Sequence, residues 1–194
     1  MLVVVKIGGD LLKEGFPQGL ALELKELSEK NKVILVHGGG DIVTEMAERL
    51  GHPPRFVTSP KGFRSRYTDE ETSKIYTMVM AGKINKNIVS TLQSVGLQAL
   101  GLSGLDGSLV QAKRKDRLII IDDRGRRMLI DGGYTGQVEE VNTCLLKLLL
   151  ENGYLPVLSA LAMGDKSESL NVDGDRLAAN IAYRSGAGKL ILLT

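Results

Sequence analysis

The 194 residues give enough chain for one domain or slightly more with a substantial core, and the hydrophobic content of 43% is that of a soluble globular protein. A formal net charge of +2, no tryptophan and 4% aromatics argue against a general nucleic-acid binder and against base-stacking surfaces. No apolar run is long enough to cross a bilayer, MLVVVKIGGD is too short and too poor in leading basic residues for a signal peptide, and the single cysteine permits no disulfide framework, so a reducing, cytoplasmic setting without membrane or nucleic-acid partners is expected.

Residues 2–7, built on Val3-Val4-Val5, read as a strand that runs into Lys6-Ile7-Gly8-Gly9-Asp10. Leu20, Leu22, Leu24 and Leu27 lie among Glu and Lys and predict an amphipathic helix. Val33-Ile34-Leu35-Val36 is a second buried strand. His37 and Gly38-Gly39-Gly40 follow, then Asp41 and the helical pattern Ile42, Val43, Met46, Leu50. Strand, helix, strand, helix with short turns predicts a parallel sheet covered by helices.

Residues 51–66 are irregular, with Pro53, Pro54 and Pro60, and read as a loop or hairpin. Lys61, Arg64 and Arg66 concentrate positive charge there, either as a solvated surface or as a site for an anionic substrate, since the planar fork of arginine suits a carboxylate. Asp69 is a good N-cap with Glu70 and Glu71 in the first turn, and Ile75, Met78, Val79, Ile84, Ile88, Leu92 and Val95 predict one long helix over 70–95. Gly82 inside it is a candidate bend. Residues 97–102 return as a strand, followed by the glycine-rich loop 103–107.

Over 109–131 the chain becomes basic. Lys113, Arg114, Lys115 and Arg117 precede Leu118-Ile119-Ile120-Ile121, Asp122-Asp123-Arg124-Gly125 is a turn, and Arg126 and Arg127 lead into Met128-Leu129-Ile130. This predicts a basic β-hairpin standing off the main sheet. Its charges suit either a protected, solvated edge or a docking patch for an acidic partner. Residues 138–141 form a short strand, and a helix starting near Asn142 or Thr143 runs to Gly153 with Cys144 read as a core residue. Residues 155–159 are the next strand, 163–169 a polar loop, and Asn171-Val172-Asp173-Gly174-Asp175 opens a helix that ends at Gly186. Leu190-Ile191-Leu192-Leu193 reads as a buried strand. Because a central parallel strand needs neighbours and a covering helix, the expectation is that the chain continues beyond it.

Three of these features would meet at the carboxyl ends of parallel strands, where open α/β sheets bind ligands. They are Lys6 with Gly8 and Gly9, then Gly38 to Gly40, then Asn171, Asp173 and Asp175 at a helix start. Bare glycine turns at helix N-termini present N–H groups to anions. A lysine neutralises charge on a transferring phosphoryl group. Asp175 would hold that lysine or help manage Mg²⁺. No Walker motif is present, which excludes a P-loop enzyme, and His37 and His52 are isolated and read as structural, so no metal ligand set is assigned.

Lys6-Ile7-Gly8-Gly9, His37-Gly38-Gly39-Gly40, Arg66-Tyr67-Thr68-Asp69 and Asn171-Val172-Asp173-Gly174-Asp175 together resemble the amino acid kinase family, in the order and spacing of its N-acetylglutamate kinase branch. Within it, Ser59 to Asp69, Ala81-Gly82-Lys83-Ile84-Asn85-Lys86 and Asp131-Gly132-Gly133-Tyr134-Thr135-Gly136 resemble the [LysW]-aminoadipate/[LysW]-glutamate kinases of lysine and arginine synthesis. The resemblance implies an α/β three-layer sandwich with an open, mainly parallel sheet (the carbamate kinase-like, amino acid kinase fold) and a protruding β-hairpin. Residues 1–170 would be a substrate-binding lobe and 171–194 the start of a nucleotide-binding lobe that continues past this chain and carries a second catalytic lysine. It implies ATP and Mg²⁺ as cofactors, a homodimer packed through 70–95, and a small acidic amino-group carrier protein of the LysW type as partner. The substrate would be glutamate or 2-aminoadipate linked to that carrier and phosphorylated on its side-chain carboxylate.

Carried over by position, Lys6 would stabilise the transferring phosphoryl group and Asp175 would organise the catalytic lysines. Gly8 and Gly9 would contact ATP phosphate. Gly39 and Gly40, with Gly38 completing the turn, would bind substrate through backbone N–H groups. Arg66 would grip the α-carboxylate, and Asn171 would bind substrate near it. Lys61, Arg64, Lys113, Arg114, Arg126 and Arg127 would dock the carrier. Asp173-Gly174 stands where the branch often has Asn-Ala. N-acetylglutamate kinase is the alternative activity, and a non-catalytic ligand-binding lobe is a third reading; the basic hairpin and the 59–69 segment favour the carrier-dependent kinase over the first.

Overall fold

A computed structural model describes residues 1–194. In chain order the elements are β1 (Leu2–Ile7), α1 (Gln18–Lys30), β2 (Lys32–His37), α2 (Gly40–Arg49), β3 (Phe56–Thr58), β4 (Arg64–Arg66), α3 (Glu70–Thr77), α4 (Asn85–Ser94), β5 (Ala99–Leu102), β6 (Val110–Arg114), β7 (Arg117–Ile121), β8 (Arg127–Asp131), β9 (Gly136–Val141), α5 (Thr143–Glu151), β10 (Leu155–Ser159), β11 (Leu161–Met163), β12 (Ser169–Asn171), α6 (Gly174–Arg184) and β13 (Lys189–Leu193).

The main sheet is wholly parallel, in the order β13-β1-β2-β10-β5. Strands covered on both faces read as unbroken apolar runs, and Val3 to Val5 and Val33 to Val36 are buried throughout. Helices α1 and α4 lie on one face, and α6, against Lys6, lies on the other. This is the expected three-layer α/β arrangement. Two smaller sheets flank it. One, β12-β11-β6-β9, continues from the carboxyl end of β10. The other, β4-β3-β7-β8, is antiparallel and stands away from the core.

Four expectations are corrected. The helix expected over 70–95 is interrupted by a π-helical stretch, Met78–Ile84, between α3 and α4. Gly82, the candidate bend, lies within it. A π stretch keeps the apolar pattern while rotating the helix beyond it, so side-chain spacing alone does not announce it. Cys144 is exposed rather than core. Within α5 only Leu146 is fully buried, and two residues turn roughly 200° around a helix, which points Cys144 away. β13 is an edge strand with one neighbour, and Leu190, Ile191 and Leu192 are 39%, 37% and 48% exposed rather than buried.

The basic segment 109–131 is not one hairpin. β7 and β8 form the hairpin, whereas β6, with Lys113 and Arg114, pairs with β9 in the other sheet. The hairpin also does not stand alone, since β7 pairs with β3 at Thr58 and Ile121. That register makes a row across the sheet, Arg64–Thr58–Ile121–Arg127, with all four side chains on one face.

Candidate active site

The turn after β1 and the turn after β2 touch. A Cβ on Gly9 would stand 3.0 Å from Gly39 Cα, 3.1 Å from Gly39 N and 3.2 Å from Gly40 N. Any side chain at Gly9 would therefore press on the backbone of the second turn. Neither the Gly39 N–H nor the Gly40 N–H donates to a protein acceptor, and α2 starts at Gly40, so its dipole adds positive potential. Gly39 itself has φ of +151°, and a Cβ there would overlap Ile84 Cδ1 and stand 3.2 Å from Met80 Sδ. The turn is held by Gly38 N–H donating to Ile7 O at 2.9 Å.

Lys6 enters from the opposite side of β1. The residue is only 8% exposed, and its Nζ lies 2.7 Å from Asp175 Oδ1. A Cβ on Gly8 would be 3.8 Å from that Nζ, and one on Gly174 would be 3.7 Å from Lys6 Cε. The ammonium thus sits beside the first glycine turn and under the start of α6. Asp173, whose role the sequence leaves open, is the N-cap of α6, its side chain accepting from Arg176 N–H at 2.8 Å. Asp175, in the first turn of α6, is half exposed and spans the gap to Lys6.

Arg66 ends β4 and reaches the second turn. Its Nη2 donates to Gly40 O at 2.7 Å and to Thr44 Oγ1 at 2.8 Å. Its Nη1 is buried without a partner, an orphan donor of a kind that native structures rarely leave unexplained. Burial lowers the guanidinium pKa below its ordinary value. Tyr76 lies close enough to Arg66 and Asp173 to feel both charges, and burial pushes its phenol up to about 12, so it stays neutral. Asn171 donates to Thr68 Oγ1 at 3.1 Å. Thr68 is the second residue beyond Arg66, so Asn171 is tied to the segment that carries the arginine.

The structure thus joins Lys6, Gly8, Gly9, Gly38, Gly39, Gly40 and Asp175 directly, with Arg66 attached through Gly40 and Asn171 through Thr68. It does not gather the six basic docking candidates. Lys61, Arg64, Arg126 and Arg127 lie near the turns of the two hairpins, whereas Lys113 and Arg114 sit at the other end on β6. Arg114 is already committed: it donates to Gly133 O at 2.7 Å, stacks 4.2 Å from the Tyr134 ring centre and approaches Asp131 at 3.9 Å. Arg126 pairs with Asp122 at 2.8 Å.

Sequence reading places the glycine turns, Lys6, Arg66 and Asp175 but misses the partners beneath them. Asn85 donates to Val157 O at 2.9 Å and approaches His37 Nε2 at 3.2 Å. Two residues 48 apart in the chain give no local signal of such a contact; an asparagine on the buried stripe of a helix is the available clue.

Comparison with known proteins gives a consistent picture. The model of the amino acid kinase family matches residues 1–194. A protein of Metallosphaera sedula named [LysW]-aminoadipate/[LysW]-glutamate kinase is 46% identical over 194 residues, and the match covers 100% of this chain and 72% of that one. Among solved structures, smu.665 from Streptococcus mutans UA159 superposes with a TM-score of 0.81 at 24% identity, covering 100% of this chain and 72% of that one. Carbamate kinase from Giardia lamblia bound to AMP-PNP superposes with a TM-score of 0.62 at 14% identity over 100% and 73%.

Proposed function

Because this chain belongs to the amino acid kinase family, we propose that its cradle transfers the γ-phosphoryl group of ATP to the side-chain carboxylate of glutamate or 2-aminoadipate attached to a small acidic carrier protein, as a step of lysine or arginine biosynthesis. The observation that carries the proposal is the convergence of Lys6, paired with Asp175 at 2.7 Å, on two abutting glycine turns with unpaired N–H groups.

The chemistry explains why such a cradle is needed. A carboxylate oxygen attacks the γ-phosphorus, the bond from phosphorus to the bridging oxygen breaks, and an acyl phosphate and ADP result. Both reactants are anions, so the barrier is dominated by bringing them together and by charge at the transferring group. Lys6 supplies a positive charge whose position Asp175 fixes. Gly8 and Gly9 let phosphate approach bare backbone. Gly39 and Gly40 offer N–H groups at the start of α2. Arg66 brings its guanidinium to the edge of the second turn, where it would meet a substrate carboxylate, and Asn171 binds beside it. The chain has no group of three or more acidic, histidine or cysteine side chains positioned to hold an ion, and Asp175 is engaged by Lys6. Mg²⁺ carried on the phosphates of ATP would neutralise the nucleotide's charge.

The carrier reading draws on the relative's name and on the face of the antiparallel sheet. Arg64 and Arg127 share that face with Phe56, Ile119 and Leu129, and Arg66 lies in the same row as Phe56. Basic and apolar side chains thus alternate along this face, and Phe56, stacked by both Arg64 and Arg66, connects it to the substrate arginine. Residues 1–170 act in this reading as the substrate lobe and 171–194 as the start of the nucleotide lobe. A homodimer packed through 70–95 belongs to the same reading.

The experiment is ATP-dependent acyl-phosphate formation trapped with hydroxylamine, by the protein with its C-terminal lobe present, with carrier-linked glutamate, carrier-linked aminoadipate and N-acetylglutamate offered side by side. Turnover of the carrier-linked forms alone is expected. Turnover of N-acetylglutamate alone would return the basic sheet to a solvated edge and replace the assignment with N-acetylglutamate kinase.

A further inference from the structure

The sheet face opposite Lys6 carries a buried polar chain that the chemistry above does not use. His37, the last residue of β2, is completely buried. Its Nδ1 lies 2.9 Å from Gly38 O. A carbonyl oxygen only accepts, so Nδ1 carries the ring proton and Nε2 is left as an acceptor. Asn85 Nδ2 stands 3.2 Å from that Nε2. The orientation of the Asn85 amide is fixed independently: Nδ2 donates to Val157 O at 2.9 Å, and Oδ1 accepts from Lys86 Nζ at 3.0 Å, while Lys86 is itself held on Gly101 O at 3.1 Å. Burial, reinforced by the charge of Lys86, lowers the imidazole pKa to about 4, so the ring is neutral near pH 7.

The consequence falls on the next peptide. In a trans peptide the C=O and N–H point in opposite directions, and no peptide here is cis. The Gly38 carbonyl is turned inward onto His37, so the Gly39 N–H is turned outward. That N–H has no protein acceptor, and its nitrogen lies where the second turn abuts Gly9. With this peptide flipped, the cradle would present a carbonyl oxygen to an anion. The stretch of helix that delivers Asn85 also sets Met80 and Ile84 against Gly39, so the turn is fixed from the same side twice.

We propose that His37, held in one tautomer by Asn85, is a positioning residue that locks the Gly38–Gly39 peptide with its N–H aimed at the reacting anions. The proposal rests on the reading of the cradle given above and assigns to the histidine a role in phosphoryl transfer without contact with substrate.

Two measurements test it. The first uses the unmodified protein. The chain has only two histidines, so ¹⁵N-histidine NMR assigns them readily. His37 is expected to show a protonated Nδ1 and an unprotonated Nε2 from pH 7 down to pH 5; a protonated Nε2 would overturn the proposal. The second compares His37→Leu with His37→Gln in the hydroxylamine assay with carrier-linked glutamate. His37→Leu should lower kcat about 100-fold, the loss typical of a missing oxyanion donor, with carrier affinity unchanged. His37→Gln, whose amide can donate towards Gly38 O and accept from Asn85, should recover most of that loss. A Leu variant with normal kcat, or a Gln variant no better than Leu, would also refute it. If His37→Leu does not fold, the tautomer decides alone. If the unmodified protein with its C-terminal lobe phosphorylates none of the acceptors, the functional reading fails while the tautomer still decides the orientation of the peptide.

Discussion

The five-stranded parallel sheet and the four-stranded antiparallel sheet solve opposite problems. In the first, the working groups are few, buried and held by several partners. Lys6 is 8% exposed and paired, His37 is enclosed, and the glycine turns are locked by backbone bonds. In the second, the charges are many and exposed, and the apolar residues between them are open as well, Ile119 at 54% and Leu129 at 55%. On the proposed function, the difference separates chemistry from recognition. Transition-state charge is best met by groups that do not reorganise, on elements fixed by packing. Encounter with a charged partner is best served by flexible, solvated charges, which raise association rates more than affinity.

The sharpest way to break this comparison is at Lys6. Lys6→Ala should lower kcat for acyl-phosphate formation about 10³-fold, measured by hydroxylamine trapping, and leave carrier binding by titration calorimetry unaltered. Equal loss of both would mean that the two regions are not separate.

Next comes the acid sensitivity of the buried region. The His37 pKa is lowered from 6.5 to about 4 in the folded chain. Between those values the unfolded chain binds a proton that the native chain does not. Stability from this group is therefore complete above about pH 6.5 and is lost as pH falls towards 4, by about 3 kcal/mol in all. Urea melts from pH 7 to pH 4.5 should show the decline, and His37→Gln should flatten it. The antiparallel sheet holds no buried histidine and contributes no such slope.

Arg66 stands where the regions join, its guanidinium 5.3 Å from the Phe56 ring centre and 2.7 Å from Gly40 O. Arg66→Lys keeps the charge and loses the fork. It should raise KM for the linked substrate about 30-fold, the worth of a charge-assisted hydrogen bond of about 2 kcal/mol, with a smaller effect on ATP KM. The smallest effect on the fold is expected at the hairpins. Replacing Lys61, Arg64, Arg126 and Arg127 by Ala should change stability by no more than about 0.5 kcal/mol per site, yet lower the association rate with the carrier and weaken its salt dependence in stopped-flow measurements. Arg114→Ala should behave differently, costing about 1 kcal/mol of stability through its bond to Gly133 O and its stacking on Tyr134.

Legibility in the sequence divides along the same line. Apolar runs ending in glycine announce buried strands and bare turns, because the cause is local. Asp69 capping α3 and Asn142 capping α5 are legible for the same reason. The hidden features depend on distant pairing or on rotation. The single bridge between Thr58 and Ile121 turns two separate basic segments into one surface, and nothing near either residue signals it. The π stretch at 78–84 preserves the apolar pattern while redirecting Asn85 to His37. Cys144 sits in a run of leucines that looks like core until the helix phase is known. Arg114 looks like one more free surface charge until Gly133 and Tyr134 are placed beside it.

The separation of chemistry from docking is tested most directly by steady-state kinetics on carrier-linked glutamate with Lys6→Ala and the fourfold hairpin variant side by side. Lys6→Ala is expected to lose kcat with KM near that of the unmodified protein, and the hairpin variant to keep kcat with KM raised at least about tenfold. Loss of kcat in the hairpin variant, or a raised KM with intact kcat in Lys6→Ala, would contradict that separation.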